Sequence, residues 1–262
     1  MTYPILDLQF LTRAKDSEFW KTIFLAIDTI TDQAQFEVDS TGIYFRSKDQ
    51  TKEAFLDIFI PNNVFQYYHC PRLLRFGLSA NDFLKMVKRF DSQIPLELFV
   101  QERFFVVTSK GESERSYRLN LLESKPLVPP LREMTFDTKL VIKTEMLAAI
   151  LDDIKVVSPK TTLKTSRGKI TTTTFDSAND TGSATVTISQ NHEDRNILLL
   201  SSMLERCNGT YSVNSVSQLL NLIGLHCEFV ELEYSNKGPM RLKVLLFDAV
   251  TIKLYLASQL DL

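Results

Sequence analysis

Trp20, Ile23, Phe24 and Ile27 recur at i, i+3, i+4 and i+7, the spacing of one apolar helix face. Asp16 stands where an N-cap belongs, with acidic Glu18 in the first turn. Upstream, residues 5–12 read as a strand; downstream, 35–38 and 43–47 read as a hairpin around Ser40-Thr41-Gly42. Further strands are predicted at 54–60, 75–78, 96–100, 104–109 and 114–122. Ser79 caps a predicted helix over 80–90, whose apolar face is Phe83, Met86, Val87 and Phe90.

The second half repeats this order. A strand at 139–143 precedes a helix at 145–155, where Leu147, Ile150, Leu151 and Ile154 repeat the first helix register at a shift of 127. Ser166-Arg167-Gly168 follows Ser40-Thr41-Gly42 at a shift of 126. Strands are predicted at 170–175 and 184–190, and 209–212 leads into a fourth helix. There Val216, Leu219, Leu220 and Ile223 keep the offsets from Ser212 that the second helix has from Ser79. Strands at 228–234, 240–247 and 251–256 complete the pattern. Two helix registers and a turn glycine at nearly one shift indicate an internal repeat. Hairpins with helices kept to one face indicate an α+β fold of two similar domains.

Between the repeats lies 121–136, with Pro126, Pro129 and Pro130. Proline fixes φ and removes a backbone donor, so an extended connector is expected. Leu127, Val128, Leu131 and Met134 make it unusually apolar for a solvated linker. The expected organisation is a first domain at 1–122, a connecting segment at 123–135 and a second domain at 136–262.

Composition narrows the function. The 262 residues are 44% apolar and 24% charged with a net charge of −2, so nucleic-acid binding would need a local patch. Three scattered cysteines, Cys70, Cys207 and Cys227, fit a reducing compartment rather than a disulfide framework. The start of the chain lacks the basic and apolar regions of a signal peptide, and no apolar run is long enough to span a bilayer, so an intracellular protein is expected. Asn208-Gly209-Thr210 then reads as a chance sequon.

Reactive constellations are scarce. His69, His192 and His226 have no metal-ligand spacing, and no phosphate loop, nucleophile elbow or HExxH helix occurs. No catalytic residue, metal site or cofactor is expected. Asp152 and Asp153 adjoin on a helix and diverge by about 100°. Lys85, Lys88 and Arg89 fall at i, i+3 and i+4 opposite an apolar face. That stripe suits either an ordinary solvated surface or sequence-independent phosphate contact.

The pattern resembles the sliding-clamp family, the proliferating cell nuclear antigen (PCNA) of eukaryotes and archaea. The likeness is carried by Val38-Asp-Ser-Thr-Gly-Ile-Tyr-Phe-Arg-Ser-Lys-Asp49 and Phe76-Gly-Leu-Ser-Ala-Asn-Asp-Phe-Leu-Lys-Met-Val-Lys88. Gly209-Thr-Tyr-Ser-Val213, Gly238-Pro-Met-Arg-Leu242 and the terminal Lys253-Leu-Tyr-Leu-Ala257 extend it along the chain. The resemblance implies a DNA-clamp fold, three subunits in a ring around duplex DNA, helices lining the hole and sheets forming the wall. Such a clamp is a processivity factor and docking platform for DNA polymerase, clamp loader and other replication and repair enzymes. Its place would be the nucleus of a eukaryote or the cytoplasm and nucleoid of an archaeon.

Carried over by position, Lys15, Lys21, Lys85, Lys88 and Arg89 would face DNA. Lys48, Phe55, Leu127, Val128, Pro239, Tyr255, Ala257 and Leu260 would form the groove for short interaction peptides. Subunits would join through Ser116, Tyr117, Arg118 and Leu119 against Thr185, Val186, Thr187 and Ile188. The chain also departs from the family. Ala149, Asp152 and Gly224 stand where basic residues are usual, and Lys48, Lys52 and Ser258 alter the groove. A homotrimer, a heterotrimer with paralogous subunits, a checkpoint-type clamp subunit and a DNA-independent scaffold of the same fold all remain open at this point.

Overall fold

A computed structural model describes residues 10–14, 16–91, 93–110, 113–190 and 195–259. The expected strand positions 5–9, Lys15, His192 and Leu260 lie outside the described residues. The first repeat runs β1 (Phe10–Ala14), α1 (Ser17–Asp28), β2 (Gln33–Asp39), β3 (Gly42–Lys48), β4 (Ala54–Pro61), β5 (Tyr67–His69), β6 (Leu74–Ser79), α2 (Ala80–Val87), β7 (Leu96–Gln101), β8 (Phe104–Lys110) and β9 (Glu114–Asn120). The second runs β10 (Thr138–Lys143), α3 (Thr144–Lys155), β11 (Lys160–Ser166), β12 (Thr172–Asn179), β13 (Gly182–Ser189), β14 (Ile197–Ser202), β15 (Arg206–Ser212), α4 (Asn214–Ile223), β16 (Phe229–Tyr234), β17 (Met240–Leu246) and β18 (Val250–Leu256). The order of strands and helices is the same in both, the α+β arrangement that the repeat predicts.

Two compact units result. Among the described residues, one holds 10–50, 56–130 and 248–250; the other holds 51–55, 131–247 and 251–259. In the first, β5-β1-β7-β8-β9 form one antiparallel sheet and β4-β3-β2-β6 a second run of paired strands. Asp16 caps α1 by accepting the Phe19 N–H at 2.9 Å. The face predicted from periodicity is the buried one, with Trp20, Ile23, Phe24 and Ile27 at most 3% exposed. Phe24 stacks on Phe83 of α2, ring centroids 3.7 Å apart, so the helices share one aromatic core. Burying each such ring contributes about 1.5–3 kcal/mol. Gly42 is required by close approach: a Cβ there would meet the Ile60 carbonyl oxygen at 2.2 Å.

In the second unit, β14-β10-β16-β17-β18 and β13-β12-β11-β15 form the two runs. Leu147, Ile150, Leu151 and Ile154 of α3 and Val216, Leu219, Leu220 and Ile223 of α4 are buried, as their spacing predicts. Neither helix has a side-chain N-cap bond. Instead the Thr144 hydroxyl donates to the Cys227 carbonyl at 2.6 Å, and its N–H donates to Glu228 at 2.9 Å.

Several elements differ from expectation. The second helix ends at Val87 rather than at 90; Lys88 is its C-cap, and only Lys85 of the basic stripe lies inside it. Strands β5, β11, β14 and β15 were not foreseen: 67–69 is short, and 160–166, 197–202 and 206–212 lack a clear apolar–polar alternation. The Asp39 turn, in which Oδ1 accepts the Thr41 and Gly42 N–H groups, recurs in the second repeat at Asn179, Thr181 and Gly182. That is one hairpin later than the Ser166-Arg167-Gly168 match. In the proline segment Leu127 is buried, but Leu131 is 39% exposed and packs less than the sequence suggested.

Candidate functional site

The α1–α2 surface of the first unit presents four of the expected phosphate-facing cations. Lys21 is half-buried and pairs with Glu18 at 3.1 Å. Lys85 is exposed and pairs with Asp82 at 3.0 Å. Lys88 and Arg89 are exposed and form no ion pair among the described residues. Asp28, at the end of α1, has its pKa raised by burial and by Asp32, against the opposing charge of Lys88. Asp32 holds α2 in place: its Oδ1 accepts the Asn81 N–H at 2.9 Å and its carbonyl accepts the Ala80 N–H at 2.7 Å. Ser79 adds the local cap, accepting the Asp82 N–H at 3.1 Å. This double anchoring of α2 was not legible in the sequence, because Asp32 lies far from the cap along the chain.

The matching surface of the second unit is electrostatically different. Helix α4 contains no ionisable residue, and the exposed ionisable residues of α3 are Glu145, Asp152 and Asp153. Lys155, the cation of α3, donates to the Ser217 hydroxyl at 2.9 Å. Ser217 in turn donates to Asp152 Oδ1 at 2.8 Å, and Lys155 lies 3.7 Å from the same carboxylate. Ser217 is fully buried, so this triad ties α3 to α4 and offers no open nucleophile. Among the described residues no three His, Cys, Asp or Glu side chains are grouped to hold a metal ion.

Each unit also ends a sheet on an uncovered strand. In the first, β9 is antiparallel to β8, with Val106 opposite Arg118 and Val107 opposite Tyr117, and it has no second partner among the described residues. Ser116, Tyr117 and Arg118 are exposed and Leu119 is half-buried. Tyr117 leans edge-on against Phe90 at 5.3 Å. In the second unit, β13 pairs with β12 and likewise ends its sheet among the described residues. Thr185 and Thr187 are exposed, Val186 is half-buried and Ile188 is buried.

The expected docking residues divide between the units. In the first, Lys48 is exposed, Leu127 is buried and Val128 is half-buried. The connecting segment is fastened by Gln35. Its amide donates to the Glu123 carbonyl at 3.2 Å and accepts the Lys125 N–H at 2.9 Å. Gly77 leaves room for this clamp, since a Cβ there would sit 2.4 Å from Gln35 Nε2 and 3.0 Å from Leu122 Cβ. In the second unit Phe55 and Tyr255 come together, ring centroids 5.9 Å apart. The Ala257 N–H donates to the Glu53 carbonyl at 2.8 Å, pinning the chain just beyond Tyr255. Pro239 is half-buried and its carbonyl accepts the Ser235 N–H at 3.1 Å. Gln35 and Gly77 are positioning residues that composition and periodicity did not reveal.

Paired antiparallel sheets, two helices to each repeat and, among the described residues, sheets that end on β9 in one unit and on β13 in the other match the DNA sliding-clamp fold. Residues 9–120 match the family model for the proliferating cell nuclear antigen N-terminal domain. The chain is 29% identical over 254 residues to the DNA polymerase sliding clamp of Nitrosopumilus maritimus, covering 97% of this chain and all of that one. Its fold is similar to that of Thermococcus kodakaraensis PCNA, with a TM-score of 0.86 at 20% identity over 95% of this chain and all of the other. It is also similar to A. fulgidus PCNA solved with the C-terminal region of FEN-1 bound, with a TM-score of 0.82 at 15% identity over 97% of this chain and 99% of that one. By family model, full-length relatives and fold together, the chain is similar to PCNA-type sliding clamps.

Proposed function

We propose that this chain is one subunit of a ring that encircles duplex DNA and tethers DNA polymerase and other replication and repair enzymes to it. The observation that carries this reading is the pair of bare edges, β9 in one unit and β13 in the other. Unpaired edges invite strand addition. Two different edges on one chain suit a heterologous, head-to-tail contact, which closes into a ring when the rotation permits. Ser116, Tyr117, Arg118 and Leu119 then meet Thr185, Val186, Thr187 and Ile188 of the next subunit.

Lys21, Lys85, Lys88 and Arg89 meet phosphates without reading bases, which permits sliding. Phe55, Tyr255, Pro239 and Ala257 in one unit, and Lys48, Leu127 and Val128 in the other, receive apolar anchors of partner peptides. The fold of A. fulgidus PCNA, which binds the C-terminal region of FEN-1, supports that role. The two repeats act as the domains 1–122 and 136–262, joined by 123–135. The protein works inside the cell, beside DNA, as a platform without chemistry of its own.

A second arrangement is favoured by one observation. The α3–α4 surface has acidic Glu145, Asp152 and Asp153, and its lysine is held by Ser217 and Asp152. A heterotrimer in which paralogous chains supply the missing cations accommodates this. Native mass of the isolated chain tests both forms. A species three times the 30.0 kDa chain mass identifies a homotrimer. A monomer that closes into a ring only with paralogues identifies the heteromeric form. A chain that assembles with neither refutes the ring.

A further inference from the structure

We propose that one corner of the second unit, made by the β11–β12 turn, β14 and the β14–β15 turn, docks an acidic peptide segment with aliphatic side chains. Five large aliphatic residues are exposed there: Met203 by 71%, Ile170 by 60%, Leu198 by 55%, Leu199 by 38% and Leu204 by 37%. Hydrogen bonds bring these segments together. The Arg167 N–H donates to the Glu205 carbonyl at 2.9 Å, and its guanidinium reaches the Ser202 carbonyl at 3.3 Å. The Gln190 N–H donates to the Thr171 carbonyl at 2.9 Å, while its side-chain oxygen accepts the Leu200 N–H. Gln190 and Arg167 thereby occupy the Leu200 N–H and the Ser202 carbonyl of β14, and the exposed side chains form the surface on offer.

Bare aliphatic surface of this extent marks an interaction site in a soluble chain. Charge selects the occupant. Among the described residues, Arg167, Lys169, Arg195 and Arg206 are exposed around the aliphatics, against Glu205 as the acid of these segments. None of the four cations forms a salt bridge among the described residues. A second copy meeting this corner symmetrically would set four cations against four, because an isologous contact opposes each patch to itself. Nucleic acid would satisfy the cations but leave the leucines and methionine in water; among the described residues the corner has no exposed aromatic platform for bases. An acidic segment with aliphatic anchors satisfies both halves of the surface.

The probe is a fluorescein-labelled peptide of about twelve residues with Leu at every third position and Asp elsewhere, its anisotropy followed on titration with the full chain. Saturable binding is expected, weakened about tenfold by Leu198→Ser with Met203→Ser and by Lys169→Glu with Arg206→Glu. All four positions are exposed, so melting curves of the variants should match that of the parent chain. Tyr255→Ala should leave this binding unchanged. Equal affinity for a peptide with Lys in place of Asp, or no response to either double variant, overturns the proposal. So does co-sedimentation with phosphatidylserine vesicles that the aliphatic variant abolishes, which assigns the corner to a membrane surface. Self-association that Met203→Ser abolishes overturns it in favour of a second copy.

Discussion

Replacing Lys85, Lys88 and Arg89 together by Gln isolates the electrostatic part of the proposed grip on DNA. All three side chains are exposed, so the fold should survive. Lys88 and Arg89 form no ion pair among the described residues, whereas Lys85 shares its charge with Asp82 at 3.0 Å. Two to three phosphates are therefore neutralised per engaged helix face. Each contributes a slope of about −0.9 in log affinity against log salt. The triple variant should show a slope shallower by about 2 to 3, and between about 50 and 200 mM salt it should lose roughly 10- to 40-fold less affinity than the parent chain. The assay is fluorescence anisotropy on labelled duplex DNA across that salt range, with the assembled ring held at constant concentration. Parallel salt slopes for variant and parent would refute the assignment of this face to phosphate contact, even if both bind DNA.

Other outcomes follow from the same contacts. Asp152→Ala leaves the buried Ser217 hydroxyl without its acceptor and should cost about 1–3 kcal/mol in urea denaturation, whereas Ser217→Ala, which removes the buried polar group itself, should cost less. Gln35→Ala removes two hydrogen bonds to the connecting segment and should cost about 1–3 kcal/mol, with faster proteolysis near 123–125 as a local readout. Tyr255→Ala, and separately Leu127→Ser with Val128→Ser, should weaken capture of a clamp-interaction peptide while leaving native mass unchanged. Loss of assembly in the Leu127/Val128 variant would show that the segment serves mainly to hold the chain together.

The helices were legible because apolar spacing decides what a helix buries: each apolar face read from the sequence is buried. The end of α2 was misjudged because Phe90 continues the apolar period, while the backbone turns after Val87. Phe90 is nonetheless buried, so its side chain kept the pattern that the helix did not. Strands β11 and β14 escaped notice because β11 buries threonines at 161 and 165 with Leu163 as its one large apolar residue, and β14 joins four apolar residues to two serines, neither of which reads as clean apolar–polar alternation. The candidate site was legible only through its motifs. Positions such as Phe55 and Tyr255 lie 200 residues apart in number and meet through tertiary structure, which no local pattern encodes. The electrostatic contrast between the repeats was visible in Ala149, Asp152 and Gly224. The capture of Lys155 by Ser217 and Asp152, which sharpens that contrast, needed coordinates.

Topological retention on DNA tests the central proposal most directly. The assembled protein is loaded onto closed circular duplex by a clamp loader, passed through a sizing column in high salt, and then treated with an enzyme that cuts the circle once. A ring that encloses the duplex should stay with the closed circle despite the salt and be released when the DNA becomes linear. Loss from the closed circle as salt rises, or retention that linearisation does not change, would contradict encirclement.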